Sequence, residues 1–185
     1  MRSKTGKYLA MNDPQLTLVT GGCRSGKSRY ALDQADKFDH PVFIATAEST
    51  DEEMRSRIEH HQAERGEKFY TIERPYNPAS AFTDLPSETD VVILDCVTVW
   101  IGNLLNCYGE QADNAGEIEN LLQTITSIPL ACRCIVVTNE TGLGVVPMNA
   151  MARQFRDLAG SVNQRLAQAA DSVVMTVCGI PVTIK

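Results

Sequence analysis

Eight consecutive residues, Gly21-Gly22-Cys23-Arg24-Ser25-Gly26-Lys27-Ser28, carry the clearest chemistry in the sequence. Their pattern, G-x-x-x-x-G-K-S, suits a loop that cradles phosphate. Glycines at 21, 22 and 26 let main-chain N–H groups converge on an anion at the head of a helix. Lys27 adds a mobile positive charge near the β- and γ-phosphates of a nucleoside triphosphate, and the Ser28 hydroxyl can ligate Mg²⁺. Such a loop needs an acid beside it. Asp95 closes the apolar run Val91-Val92-Ile93-Leu94, and a carboxylate at that strand terminus can hold Mg²⁺ directly or through water.

Imidazole is the other reactive group. The chain has three histidines, and two of them, His60 and His61, are adjacent. They fall in a helix predicted from Thr50-Asp51-Glu52-Glu53, a hydroxyl cap with acids in the first turn, to about Gly66. Met54, Ile58 and His61 share one face at i, i+4, i+7, while His60 points about 200° away from Ile58. His61 therefore suits packing, and His60 an exposed polar face. Read from periodicity alone, the pair is a solvated surface; beside a bound nucleotide, a neutral imidazole at 60 could act as nucleophile or base.

The elements that must position these groups alternate along the chain. Leu16 to Thr20 reads as a buried strand ahead of the loop, and Arg29 to Ala35 as the helix after it. Pro41 to Ala47 is a second strand, whose end brings Thr46, Ala47 and Glu48 to the ligand side, because parallel α/β sheets bind ligands outside the carboxyl ends of their strands. Phe69 to Pro75 and Thr89 to Cys96 are further strands. Val97 to Asn106 is an apolar helix for core or subunit interface, and Asn114 to Thr126 a more polar one. Cys134 to Thr138 is a strand that places Asn139 and Glu140 on the same side. A flexible loop from Gly142 to Pro147 leads into a helix from about Asn149 to Ala170. Its Arg153, Arg156 and Arg165 are phosphate ligands, solvated charges or intersubunit partners. The chain ends in a hairpin, Ser172 to Val177 and Ile180 to Ile184, with an antiparallel edge strand. This succession is a single α/β domain with a mainly parallel sheet flanked by helices. Strand order is not legible.

Composition sets the class. The 185 residues, 43% hydrophobic and 22% charged, predict one soluble domain over residues 15–185, with residues 1–14 a mobile tail. A formal charge of −6 argues against broad nucleic-acid or anionic-membrane binding. No run approaches the eighteen or so apolar residues of a membrane span, and the basic start lacks a secretory apolar region. The six cysteines form no C-x-x-C pair and are expected to be free, mostly buried thiols of a cytoplasmic protein. Cys23, at a helix N-terminus among basic groups, is the thiol expected to react. The Asn-Lys-x-Asp signature is absent, which excludes guanine selection by the usual GTPase route.

With these residues in place, the chain from about Leu16 to Lys185 resembles the bifunctional adenosylcobinamide kinase/adenosylcobinamide-phosphate guanylyltransferases of cobalamin biosynthesis. The likeness rests on Thr20 to Arg29, Asp51-Glu52-Glu53-Met54, Arg57-Ile58-Glu59-His60-His61, Thr138-Asn139-Glu140 with Gly142 and Gly144, and Arg156 to Arg165. The resemblance implies a RecA-like P-loop fold, a homotrimer, and two activities. One phosphorylates adenosylcobinamide with ATP or GTP; the other transfers GMP from GTP to that phosphate, giving adenosylcobinamide-GDP and pyrophosphate. It implies that His60 carries GMP covalently. Nucleotide contacts are implied for Gly21 to Ser28, for Thr46, Ala47 and Glu48, for Ala63, Glu64, Arg65 and Gly66, and for Glu73 and Asp95. For the kinase base, Asp95 and Glu140 both remain open. Cys23 stands where relatives often have alanine.

Overall fold

The computed structural model describes residues 14–48, 52, 55, 62, 66, 68–114, 116–129 and 131–185. Seven strands, β1 (Leu16–Gly21), β2 (Pro41–Ala45), β3 (Tyr70–Glu73), β4 (Val91–Asp95), β5 (Arg133–Val137), β6 (Ser172–Val177) and β7 (Ile180–Thr183), form one sheet in the order β3-β2-β4-β5-β1-β6-β7. Every pairing is parallel except β6 with β7, which is antiparallel. Four α-helices are described: α1 (Lys27–Ala35), α2 (Val97–Tyr108), α3 (Glu117–Thr126) and α4 (Ala150–Ala169).

Both faces of the sheet are covered, which is why the central strands read as unbroken apolar runs rather than alternating ones. Val91, Val92, Ile93 and Leu94 are all fully buried. Val19, Phe43, Ile93, Ile135 and Val137 pack with Ala31 and Ala35 of α1 on one face. Leu18, Ile44, Val92, Leu94 and Val136 pack with α2, α3 and α4 on the other. Trp100 of α2 is 1% exposed and belongs to this second cluster, so α2 is a core helix within the chain.

Most predicted elements stand where the sequence put them, with shifted ends. The third helix starts at Glu117 rather than Asn114, because Gly116 with φ 79° heads it and a 3-10 turn occupies Gly109–Asn114. The expectation of mostly buried thiols needs correcting. Cys96, Cys132 and Cys134 are buried in or beside the central strands, but Cys23, Cys107 and Cys178 are exposed in a loop, a helix end and a turn. Of the helix expected over residues 50–66, only residues 52, 55, 62 and 66 are described, the first three of them helical; His60, His61 and the expected contacts Ala63, Glu64 and Arg65 lie outside the described residues.

The register fixes which groups share an edge. Ala45 pairs with both Glu73 and Asp95, Asp95 with Val137, and Val137 with Val19. Strands β1 to β5 thus end side by side, and the loop after β1 leaves from the same edge as Asp95, with β5 between them.

Candidate active site

The phosphate loop is held from behind by the C-terminal hairpin. Gly21 ends β1 at φ 146°, and a Cβ there would lie 2.5 Å from the Thr176 carbonyl oxygen and 2.7 Å from Ser25 Oγ. Only glycine tolerates both that backbone and that approach. Ser25 Oγ and Thr176 Oγ1 are hydrogen-bonded at 2.8 Å, and the Gly179 N–H donates to the Ser25 carbonyl at 2.9 Å. Gly26, at φ 95°, opens α1. Gly22, Cys23 and Arg24 are exposed, while Ser25 and Lys27 are buried.

Lys27 is the buried charge of the site. Its side chain, on a residue 7% exposed, donates from Nζ to the Gly22 carbonyl at 2.6 Å. Desolvation lowers its pKa from the ordinary lysine value; Cys96, Asp95 and Cys23 oppose the shift electrostatically. The ammonium is therefore folded inward, within electrostatic reach of Asp95, and held by a loop carbonyl. Ser28 follows it, half-buried in the first turn of α1.

Asp95 ends β4, half-buried, and its peptide bond to Cys96 is cis. The junction into α2 is braced by Thr46, which is fully buried. Thr46 Oγ1 accepts from the Cys96 N–H at 2.9 Å and donates to the Cys96 carbonyl at 2.8 Å. Its hydroxyl thus joins the ends of β2 and β4. Asn103 of α2 completes the brace, donating from Nδ2 to the carbonyls of Thr46 at 2.9 Å and Pro75 at 2.8 Å. Ala47 is half-buried, and Glu48 is exposed and accepts the Tyr76 hydroxyl, a bond that raises the tyrosine's pKa. Glu73 is exposed at the end of β3, and Gly66 is an exposed left-handed glycine at φ 64°.

On the other side of Asp95, the end of β5 is fastened to the loop. The Thr138 N–H donates to the Val19 carbonyl at 3.0 Å and the Glu140 N–H to the Gly21 carbonyl at 2.9 Å. The structure thus brings Gly21 to Ser28, Thr46 to Glu48, Glu73, Asp95 and Glu140 to one edge of the sheet. The arginines of α4 have local partners: Arg153 donates to the carbonyls of Pro147 at 3.1 Å and Met148 at 2.6 Å, Arg156 pairs with Asp157, and Arg165 with Glu119. Thr176, Gly179, Asn103 and Tyr76 are site neighbours that the sequence did not single out. The clue available was Gly179, a glycine in a tight turn.

A hydroxyl at Ser28 and a carboxylate at Asp95 are hard oxygen donors on facing elements. That set fits Mg²⁺, which takes one or two protein oxygens and completes its shell with substrate phosphates and water.

A family model described as cobinamide kinase / cobinamide phosphate guanyltransferase matches residues 17–184. The bifunctional adenosylcobalamin biosynthesis protein CobU of Escherichia coli (strain K12) is 42% identical over 183 residues, covering 92% of this chain and 99% of that protein. The corresponding protein CobP of Pseudomonas aeruginosa is 40% identical over 169 residues, covering 91% and 96%. Among solved structures, a type III secretion ATPase aligns with a TM-score of 0.52 at 12% identity, covering 87% of this chain and 50% of that one. The Pyrococcus horikoshii protein PH0250 aligns at 0.54 with 9% identity, covering 92% and 86%. At such identities the structural likeness shows the fold alone, a mainly parallel sheet flanked by helices.

Proposed function

The chain belongs to the cobinamide kinase / cobinamide phosphate guanyltransferase family, bifunctional transferases of adenosylcobalamin biosynthesis, and from that premise we propose how its sheet edge performs the two transfers. The observation that carries the reading is Lys27, buried with its Nζ 2.6 Å from the Gly22 carbonyl and within electrostatic reach of Asp95. A charge kept out of water at the throat of a glycine loop is preorganised for the β- and γ-phosphates of ATP or GTP.

In the kinase step, the aminopropanol hydroxyl oxygen of adenosylcobinamide attacks the γ-phosphorus. The bond to the β–γ bridging oxygen breaks, and the hydroxyl proton passes to Asp95 or Glu140. Lys27 and the loop N–H groups take up the charge that builds on the departing diphosphate. Mg²⁺, held by Ser28 and Asp95, would supply further neutralisation of the phosphate oxygens.

In the guanylyl step, a neutral imidazole nitrogen of His60 attacks the α-phosphorus of GTP in line and pyrophosphate leaves into the loop. A phosphate oxygen of adenosylcobinamide phosphate then attacks the same phosphorus and displaces the imidazole, giving adenosylcobinamide-GDP. Nucleotide contacts are assigned to Gly21 to Ser28, to the ends of β2 and β3 at Thr46 to Glu48 and Glu73, and to Ala63 to Gly66. The buried Thr46 side chain serves through the backbone it fixes. The reading includes a cytoplasmic homotrimer, to be checked by light scattering of the purified protein.

Incubation with α-labelled GTP tests the covalent step. We expect acid-labile label on the wild-type protein with release of pyrophosphate, and none on His60→Ala. Absence of label on the wild type, or its persistence on His60→Ala, removes the histidine intermediate and leaves phosphorylation standing.

A further inference from the structure

A closed ring of hydrogen bonds surrounds the Asn139 peptide, just behind the phosphate loop. Asn139 N–H donates to Thr98 Oγ1 at 2.7 Å, Thr98 Oγ1 lies 3.0 Å from Thr138 Oγ1, and Thr138 Oγ1 donates to Asn163 Oδ1 at 2.7 Å. Asn163 Nδ2 then donates to the Asn139 carbonyl at 3.0 Å. Thr138, Thr98 and Asn163 are buried, at 0%, 6% and 8% exposure. They come from the residue that follows β5, the first turn of α2 and the middle of α4.

The direction of every proton in the ring is determined. Each hydroxyl has one hydrogen to give. Thr138 spends its hydrogen on Asn163 Oδ1, so Thr98 must donate to Thr138. The Asn163 amide has only one workable orientation, because turning it over would face its oxygen to the Asn139 carbonyl. The bonds therefore run one way round, from the Asn139 N–H back to the Asn139 carbonyl, and such aligned buried chains reinforce one another.

The next peptide shows what the ring holds. Glu140 N–H donates to the carbonyl of Gly21, the first residue of the phosphate loop, and the Glu140 side chain is one of the two candidate bases. Thr98 sits three residues after Asp95, the other candidate. We infer that Thr98, Thr138 and Asn163 are positioning residues for phosphoryl transfer, fixing the Asn139–Glu140 peptide against the loop so that acceptor and donor phosphate stay aligned. None of the three needs to touch substrate. The inference rests on the loop being the transfer site and is independent of His60.

The effect should fall on kcat. The loop keeps its brace from Thr176 and Gly179 when the ring is broken, so nucleotide binding persists while alignment suffers. Thr98→Val removes the hydroxyl and keeps the shape; steady-state kinase assays of the full chain should show kcat down roughly tenfold to a hundredfold, with the KM for ATP within about threefold of wild type. Thr98→Ser should recover most of the rate.

Asn163→Asp supplies a readout that a merely structural role would not move. As a carboxylate, Asp at 163 has no hydrogen for the Asn139 carbonyl; protonated, it can again accept from Thr138 and donate to that carbonyl. The ratio of variant to wild-type kcat should rise as the pH falls from about 8 to about 5, into the range where a buried carboxyl gains its proton. Thr98→Val within twofold of the wild-type kcat, or a ratio for Asn163→Asp that is flat with pH, would overturn the inference. Should Thr98→Val not fold, the Asn163→Asp profile and the Thr98→Ser rate decide. A wild-type protein without kinase activity would instead refute the functional reading on which the assay depends.

Discussion

Replacing Lys27 by methionine separates what its charge does for folding from what it does for transfer. Lys27→Met keeps the length and apolar stem of a residue 7% exposed but deletes the ammonium. In the folded state burial lowers the lysine pKa, so the charged form is disfavoured on folding and costs stability at neutral pH. Against this, the variant loses the bond to the Gly22 carbonyl at 2.6 Å. Gly22 is exposed, so water can satisfy that oxygen and the loss falls at the low end for a hydrogen bond to a charged group, about 1.5 kcal/mol.

The two effects oppose each other, and we expect a net change within about 1 kcal/mol, or roughly 2–4 °C in the thermal midpoint of a chain this size. Transfer should behave very differently. Loss of one preorganised contact to the developing charge is worth about 3 kcal/mol, equivalent to a rate loss on the order of 10²-fold. Calorimetry or circular dichroism of Lys27→Met, read beside kinase and GTP-labelling rates, gives both numbers from one preparation. Near-normal rates would show that the loop is not the catalytic cradle. A thermal midpoint lower by 10 °C or more would show that Lys27 acts through folding and that the burial argument is wrong.

Because the Lys27 pKa in the free protein lies below the ordinary value of 10.5, kcat/KM for the nucleotide should fall on an alkaline limb centred below that value, as Lys27 loses its proton. The limb should vanish in Lys27→Met, and one centred at or above 10.5 would contradict the assignment. Gly21→Ala forces a Cβ to within 2.5 Å of the Thr176 carbonyl at φ 146°; unfolding measurements should show a loss of at least 1–3 kcal/mol from backbone strain alone, and transfer should be lost with it. Asn103→Ala removes two bonds that tie the ends of β2 and β3 to α2. We expect about 1–3 kcal/mol of destabilisation together with a raised nucleotide KM, and an unchanged KM would show that those strand ends do not line the nucleotide site.

Local readings succeeded wherever one short stretch carried the whole signal. The loop pattern from Gly21 to Ser28 needs only a strand before it and a helix after it, and both are there. Val91 to Leu94 is apolar at every position because both faces of β4 are covered, and its closing acid comes out at the carboxyl edge. The Cys178-Gly179 turn between two apolar runs likewise predicts the antiparallel hairpin. Helix ends were less legible, because the third helix starts at a left-handed glycine, Gly116, with no side-chain cap to announce it.

The sequence by itself determined the class of fold, and it singled out the glycine loop and the acid at the end of β4, since each signal is carried by neighbours in the chain. Tertiary structure decided how the loop is supported and what lies next to it. Ser25 meets Thr176 across 151 residues, Asn139 meets Thr98 across 41, and Asn103 reaches Thr46 across 57. No periodicity or spacing links such pairs. They become neighbours only when hydrophobic burial fixes the order of the strands and packs the helices on both faces, and each buried polar group must then find its partner among whatever residues that packing has brought within reach.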